Sequence, residues 1–103
     1  MPNPELTLKE MLTRAGEASD FLKALSNQNR LVILCNLLQE ELSVGALNEK
    51  ITLSQSALSQ HLAILRRDGL VATRRDSQTI YYSIADPKVK QLMGTLYDLF
   101  CQK

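Results

Sequence analysis

The chain has 103 residues, 45% of them apolar and 22% charged, with a net charge of +1 at pH 7. That length suits a single soluble domain with one core, and 5% aromatic residues with no Trp favour helices packed by Leu, Ile and Val over a β-sandwich. No apolar run reaches the length of a membrane span and no basic-then-apolar signal opens the chain, so a cytoplasmic protein without membrane contact is expected, its cysteines reduced at rest.

No repeat, low-complexity run or linker divides the sequence, so residues 1–103 are expected to form one domain. Residues 1–6, with two prolines, are expected to be a flexible arm. Thr7 with Glu10 fits a capping box, and Leu8, Met11, Leu12, Ala15, Ala18, Phe21, Leu22 and Leu25 continue as a helical stripe. The stripe is longer than a small core requires, so part of it is expected to face a second subunit. Ser26 to Asn29 break the pattern. The next helix, from about Asn29 to Gln39, is apolar nearly all round through Leu31, Val32, Ile33, Leu34, Cys35, Leu37 and Leu38, which predicts burial in the middle of the fold.

Ser43 is positioned to cap a short helix from Val44 to about Glu49, and Ile51-Thr52-Leu53 turns the chain into residues 54–67. In that stretch Leu58, Leu62 and Leu65 share one face. The opposite face carries Gln55, Ser56, Ser59, Gln60, Ala63 and Arg67 and no acid, where a solvated helix normally mixes Glu and Lys. Gln and Ser can hydrogen-bond base edges and phosphates, and a helix N-terminus behind the Ser54 cap suits phosphate. On this helix alone, a DNA-reading element and a plain amphipathic helix with a serine-rich surface fit equally well. Two short helices joined by a tight turn make a helix-turn-helix over 43–68, closed at Asp68-Gly69.

Charge distribution favours the first reading. Residues 1–53 carry five bases and seven acids, whereas residues 54–82 carry four arginines and two aspartates. Leu70 to Arg74, a break over Arg75-Asp76-Ser77-Gln78, and the alternating Thr79 to Ile84 predict a hairpin over 70–84. A hairpin directly behind a helix-turn-helix is a wing, whose Arg74 and Arg75 would reach the DNA backbone or minor groove; otherwise it is a solvated edge kept soluble by charge. Asp86-Pro87 starts a last helix over 86–101, with Val89, Leu92, Met93, Leu96, Leu99 and Phe100 in a broad stripe suited to a dimer contact. The expected fold class is therefore mainly α with a small β-hairpin, a winged helix-turn-helix in the order α1-α2-α3-α4-β1-β2-α5, dimeric through its terminal helices. An enzyme is not expected: the chain has no Cys-x-x-Cys, no glycine-rich phosphate loop and no plausible Ser/His/Asp arrangement.

This order, together with Leu58-Ser59-Gln60-His61-Leu62, Asp68-Gly69-Leu70-Val71 and Tyr81-Tyr82-Ser83-Ile84, resembles the ArsR-type winged-helix repressors over about residues 8–101. The resemblance implies a homodimer that binds a pseudo-palindromic operator in double-stranded DNA and releases it when an inducer binds. Ser54, Gln55, Ser56, Ser59, Gln60 and His61 would then face DNA, with Arg66, Arg67, Arg74 and Arg75 as anchors. Many family members sense metals, but Ser43 and Gly45 stand where metalloid sensors carry a Cys-Val-Cys pair, and the last helix has no histidine. No metal site and no cofactor is expected. The placement of Cys35 and Cys101 instead resembles the dithiol, BigR/SqrR/HlyU-like subgroup. That likeness implies a redox pair that reacts with persulfides and other reactive sulfur species or oxidants, closing a disulfide or polysulfide bridge. Taken alone, Cys35 reads as a structural residue that fills space in its apolar run. The competing reading keeps the DNA binding and has the same cysteines hold a metalloid or soft metal.

Overall fold

The computed structural model describes residues 4–101. Eight elements follow one another: α1 (Pro4–Leu25), α2 (Gln28–Leu37), β1 (Leu42–Ser43), α3 (Val44–Lys50), α4 (Gln55–Arg67), β2 (Val71–Asp76), β3 (Thr79–Ile84) and α5 (Pro87–Phe100). The expected mainly α winged helix-turn-helix is what the chain forms, with one strand more than the sequence disclosed. β1 pairs antiparallel with β3, Leu42 opposite Tyr82 and Ser43 opposite Tyr81, giving a three-stranded sheet in the order β1-β3-β2. Two residues carry no alternation to read, so only the partner strand defines this one.

Four helix starts are set by local chemistry. The Asn27 side chain accepts from the N–H groups of Asn29 and Arg30, Ser43 from Ala46, Ser54 from Ala57 and Asp86 from Lys88. Each satisfies an N–H that the helix leaves unpaired, worth about 1 kcal/mol. α1 begins three residues earlier than the Thr7 capping box suggested. The arm expected over 1–6 is therefore helical from Pro4, a residue type suited to a first turn because its missing N–H costs nothing there. Residues 1–3 lie outside the described residues.

The core joins every layer: Leu25 of α1, Ile33 and Leu34 of α2, Leu47 of α3, Leu58, Leu62 and Leu65 of α4, Val71 of β2, and Val89 and Met93 of α5. Leu58, Leu62 and Leu65 are essentially inaccessible, so each contributes roughly 1.5–3 kcal/mol by burial. They fix which side of α4 faces inward. α2 departs from expectation: Ile33, Leu34 and Leu37 are buried, but Val32 and Cys35 are exposed and Leu31 and Leu38 half-buried. It is a boundary helix with one side open. α1 and α5 carry further exposed apolar residues, including Leu8, Met11, Leu12, Leu22, Tyr97, Leu99 and Phe100. No helix among the described residues is long and apolar enough to cross a membrane.

Candidate nucleic-acid interface and thiol groove

α3 and α4 meet through a turn that contains no glycine. Asn48 supports it instead, its Nδ2 donating to the Leu53 carbonyl at 2.8 Å. With Leu58, Leu62 and Leu65 inward, Gln55, Ser56, Ser59, Gln60, Ala63, Arg66 and Arg67 form a continuous exposed face. No acid interrupts it between Gln55 and Arg67. Ser54 at its head has its Oγ engaged by the Ala57 N–H at 3.1 Å. At the other end Gly69, at φ +75°, turns the chain away, while Leu70 N–H reaches back to the Leu65 carbonyl at 2.9 Å.

The hairpin runs farther than the sequence pattern suggested. Arg75 pairs with Ile80 and Asp76 with Thr79, leaving only Ser77 and Gln78 in the turn, Ser77 at φ +57°. Arg75 is thus a strand residue, not part of a loose tip. Arg74 and Arg75 are neighbours on a strand and therefore lie on opposite faces of the sheet. Arg74 is engaged within the protein: its Nε donates to both Glu41 carboxylate oxygens at 2.8 and 2.9 Å, and its guanidinium lies 4.7 Å from the Tyr81 ring centre. The hydrogen bonds and charge of Arg74 hold the Glu41 carboxyl below its usual range, and Glu41 raises Arg74 in turn. Arg67 pairs with Asp68 at 3.2 Å. Arg66 and Arg75 have no ion pair among the described residues.

His61 is half-buried, and its Nδ1 accepts from Arg30 Nε at 3.4 Å, while Arg30 Nη1 donates to the Ala24 carbonyl at 2.9 Å. Through Nδ1, His61 thus links α4 to α2 and the end of α1, a contact that the sequence reading did not include. Sequence reasoning passed over Arg30 and Glu41. Arg30 had a signal, as the only charged residue in α2. Glu41 had none, because its partner lies on a distant strand.

Cys35 and Cys101, far apart in the chain, line one groove of about 230 Å³ between α2 and α5, with Leu31, Leu38, Met93, Leu96, Tyr97 and Phe100. Both thiols are free and exposed. Partial burial, and then the neighbouring Cys101, push the Cys35 thiol above its ordinary value. No three His, Cys, Asp or Glu side chains gather as a metal-holding group among the described residues.

A helix-turn-helix followed by a wing, with a polar, acid-free second helix, defines a winged-helix DNA-binding regulator. The model for "Bacterial regulatory protein, arsR family" matches residues 20–73. The chain is 52% identical over 97 residues to the transcriptional activator HlyU of Vibrio cholerae, covering 94% of this chain and 90% of that protein. In structure it is similar to reduced HlyU from V. cholerae (TM-score 0.85, 52% identity, 91% and 99% of the two chains). It is also similar to the transcriptional repressor BigR from Xylella fastidiosa (TM-score 0.87, 41% identity, 92% and 97%). The chain belongs to the ArsR family of bacterial transcriptional regulators, which act by binding DNA and not as enzymes.

Proposed function

We propose that this regulator is a cytoplasmic homodimeric repressor whose hold on a pseudo-palindromic operator is switched by chemistry at Cys35 and Cys101. The observation that carries the reading is the convergence of both thiols in one groove between α2 and α5. The reaction balances without an outside oxidant beyond a persulfide R–S–SH. One thiolate takes the sulfane sulfur, giving Cys–S–SH and releasing RSH. The second thiol attacks the protein-bound inner sulfur, closing Cys–S–S–Cys and expelling hydrogen sulfide. A further persulfide would lengthen the bridge by one sulfur. Existence of a structure of HlyU in its reduced form supports carrying thiol redox chemistry across from that relative.

A bridge would tie α5 to α2, and α2 is fastened to α4 by Arg30 and His61 and by shared core residues. Two exposed apolar helix faces, on α1 and α5, support a dimer. In the dimer the two copies of α4 would lie about 34 Å apart, one turn of DNA, with Gln55, Ser56, Ser59 and Gln60 toward base edges. Ser54 at the head of α4, with Arg66, Arg67 and Arg75, would hold phosphate. The Xylella relative is named a repressor and the Vibrio relative an activator, and repression is the sign of control proposed here.

The same pair of thiols also supports a second reading, a bound metalloid or soft metal as inducer. Titration of promoter DNA, combined with intact mass, separates the two. Reduced protein should bind, persulfide-treated protein should gain sulfur or lose two hydrogens and release DNA, and Cys35→Ser and Cys101→Ser should bind but no longer respond. Release by arsenite at unchanged covalent mass would favour the metalloid reading, and unchanged affinity after every treatment would exclude a thiol switch.

A further inference from the structure

His61 stands at the margin of the exposed α4 face, one position beyond Gln60, and is half-buried. Its Nδ1 accepts from Arg30 Nε at 3.4 Å. A guanidinium has donors only, so this bond needs a lone pair on Nδ1. The other neutral tautomer and the imidazolium both carry a proton there. Only the neutral ring protonated on Nε2 satisfies the bond. Among the described residues Nε2 has no hydrogen-bond partner, and no unpaired side-chain nitrogen or oxygen is sealed from solvent. Nε2, across the ring from Nδ1, therefore reaches solvent as a free donor. Arg30 is itself fixed in place. It is half-buried at the start of α2, and its Nη1 donates to the Ala24 carbonyl at 2.9 Å. It has no carboxylate partner among the described residues. A guanidinium kept partly from water usually meets a carboxylate. This one donates to two neutral acceptors, and one of them is the ring.

We propose that Arg30 is a positioning residue for DNA binding: by donating to Nδ1 it fixes His61 as the Nε2–H tautomer, and that N–H donates to a backbone phosphate. The inference rests on the reading of α4 as the helix that faces DNA, and adds how its flank is held. A ring free to change tautomer presents a lone pair to the phosphate part of the time, which repels it. The fixed ring always presents a donor. Arg30 thus acts through His61 and not as a phosphate ligand, and His61 contributes a neutral hydrogen bond that displaces no counterion.

His61 is the only histidine in the chain, so nitrogen-15 NMR of the tag-free protein reads its ring without ambiguity. At about pH 8.5, where an ordinary imidazole is neutral, Nε2 should carry the proton and Nδ1 should not, with the two shifts fully separated. Arg30→Met should bring the shifts together, as two tautomers then exchange. Anisotropy titrations with a labelled duplex of mixed sequence, about three helical turns long, supply the second readout. His61→Ala should weaken binding about tenfold, as befits a hydrogen bond to a charged group. Arg30→Met should weaken it comparably, and should cost little more when added to His61→Ala. In both variants the slope of log K against log salt should change by well under the ~0.9 expected for each phosphate neutralised. A ring protonated on Nδ1, or mixed between tautomers in the unaltered protein, would overturn the inference, whatever the variants do. So would a His61→Ala protein that binds as tightly as the original. A full-unit loss of slope in Arg30→Met would make Arg30 itself the phosphate ligand. Failure of the unaltered protein to bind the duplex at low salt would overturn the reading of α4 as well.

Discussion

Arg74 on β2 and Glu41 just ahead of β1 are joined across the intervening strand β3, Arg74 Nε donating to both Glu41 oxygens at 2.8 and 2.9 Å above the Tyr81 ring. The pair staples the two edge strands of the sheet and takes Arg74 out of the pool of free cations, leaving Arg75 as the wing's unpaired arginine. Each phosphate neutralised contributes about −0.9 to the slope of log K against log salt. Arg75→Gln should therefore reduce the magnitude of that slope by about one, while Arg74→Gln leaves it nearly unchanged. Glu41→Gln, by releasing Arg74, should increase it. Anisotropy titrations across a salt series read all three, and a one-unit loss in Arg74→Gln would mean that Arg74 exchanges Glu41 for phosphate on DNA.

Local signals are legible in the chain, and long-range ones are not. Ser43, Ser54 and Asp86 cap helices because each is a short acceptor ahead of free N–H groups, and Gly69 ends α4 because it tolerates a positive φ. Leu58, Leu62 and Leu65 can be read from periodicity alone. The exposure of Cys35 cannot, because an apolar run conceals which side is covered; only the positions of α4 and α5 decide that Leu34 is buried and Cys35 exposed. β1, the Arg74–Glu41 pair and the Arg30–His61 link depend on partners more than thirty positions away, and no window of sequence contains them.

The exposed face of α4 is expected to provide base discrimination. Ser59 and Gln60 are both exposed, and among the described residues neither side chain makes a hydrogen bond. Replacing either by Ala should leave Tm within a degree or two and weaken binding to the operator by about 1–3 kcal/mol for each base-edge interaction removed. Binding to unrelated DNA should be little changed, since that is held through phosphates. Equal weakening on both DNAs would move these residues from base reading to backbone contact.

The apolar surface of α1 is expected to be covered by a second copy. Leu8, Met11 and Leu12 are all more than half exposed on the first three turns. Leu12→Glu should convert a dimer to monomer in light scattering at micromolar concentration, with little change in helix content. Operator affinity should fall steeply, because two half-sites are then no longer held together. A Leu12→Glu protein that remains dimeric would place the interface elsewhere.

Reactivity at Cys35 should carry the mark of its groove. Burial first, and the adjacent Cys101 second, raise its thiol above the ordinary value. The folded state therefore favours the neutral thiol. Its contribution to stability is complete below the thiol's unfolded value and fades as pH rises through the higher folded one. Site-resolved alkylation by iodoacetamide should give a pH midpoint for Cys35 above that of a cysteine in an unstructured peptide. Cys101→Ser removes the second cause and keeps the first, so the midpoint should fall part of the way and stop above the peptide. A fall all the way to the peptide value would assign the whole shift to the neighbouring thiol. A midpoint below the peptide in the unaltered protein would require a cation at the groove and would count against an apolar site for sulfur chemistry.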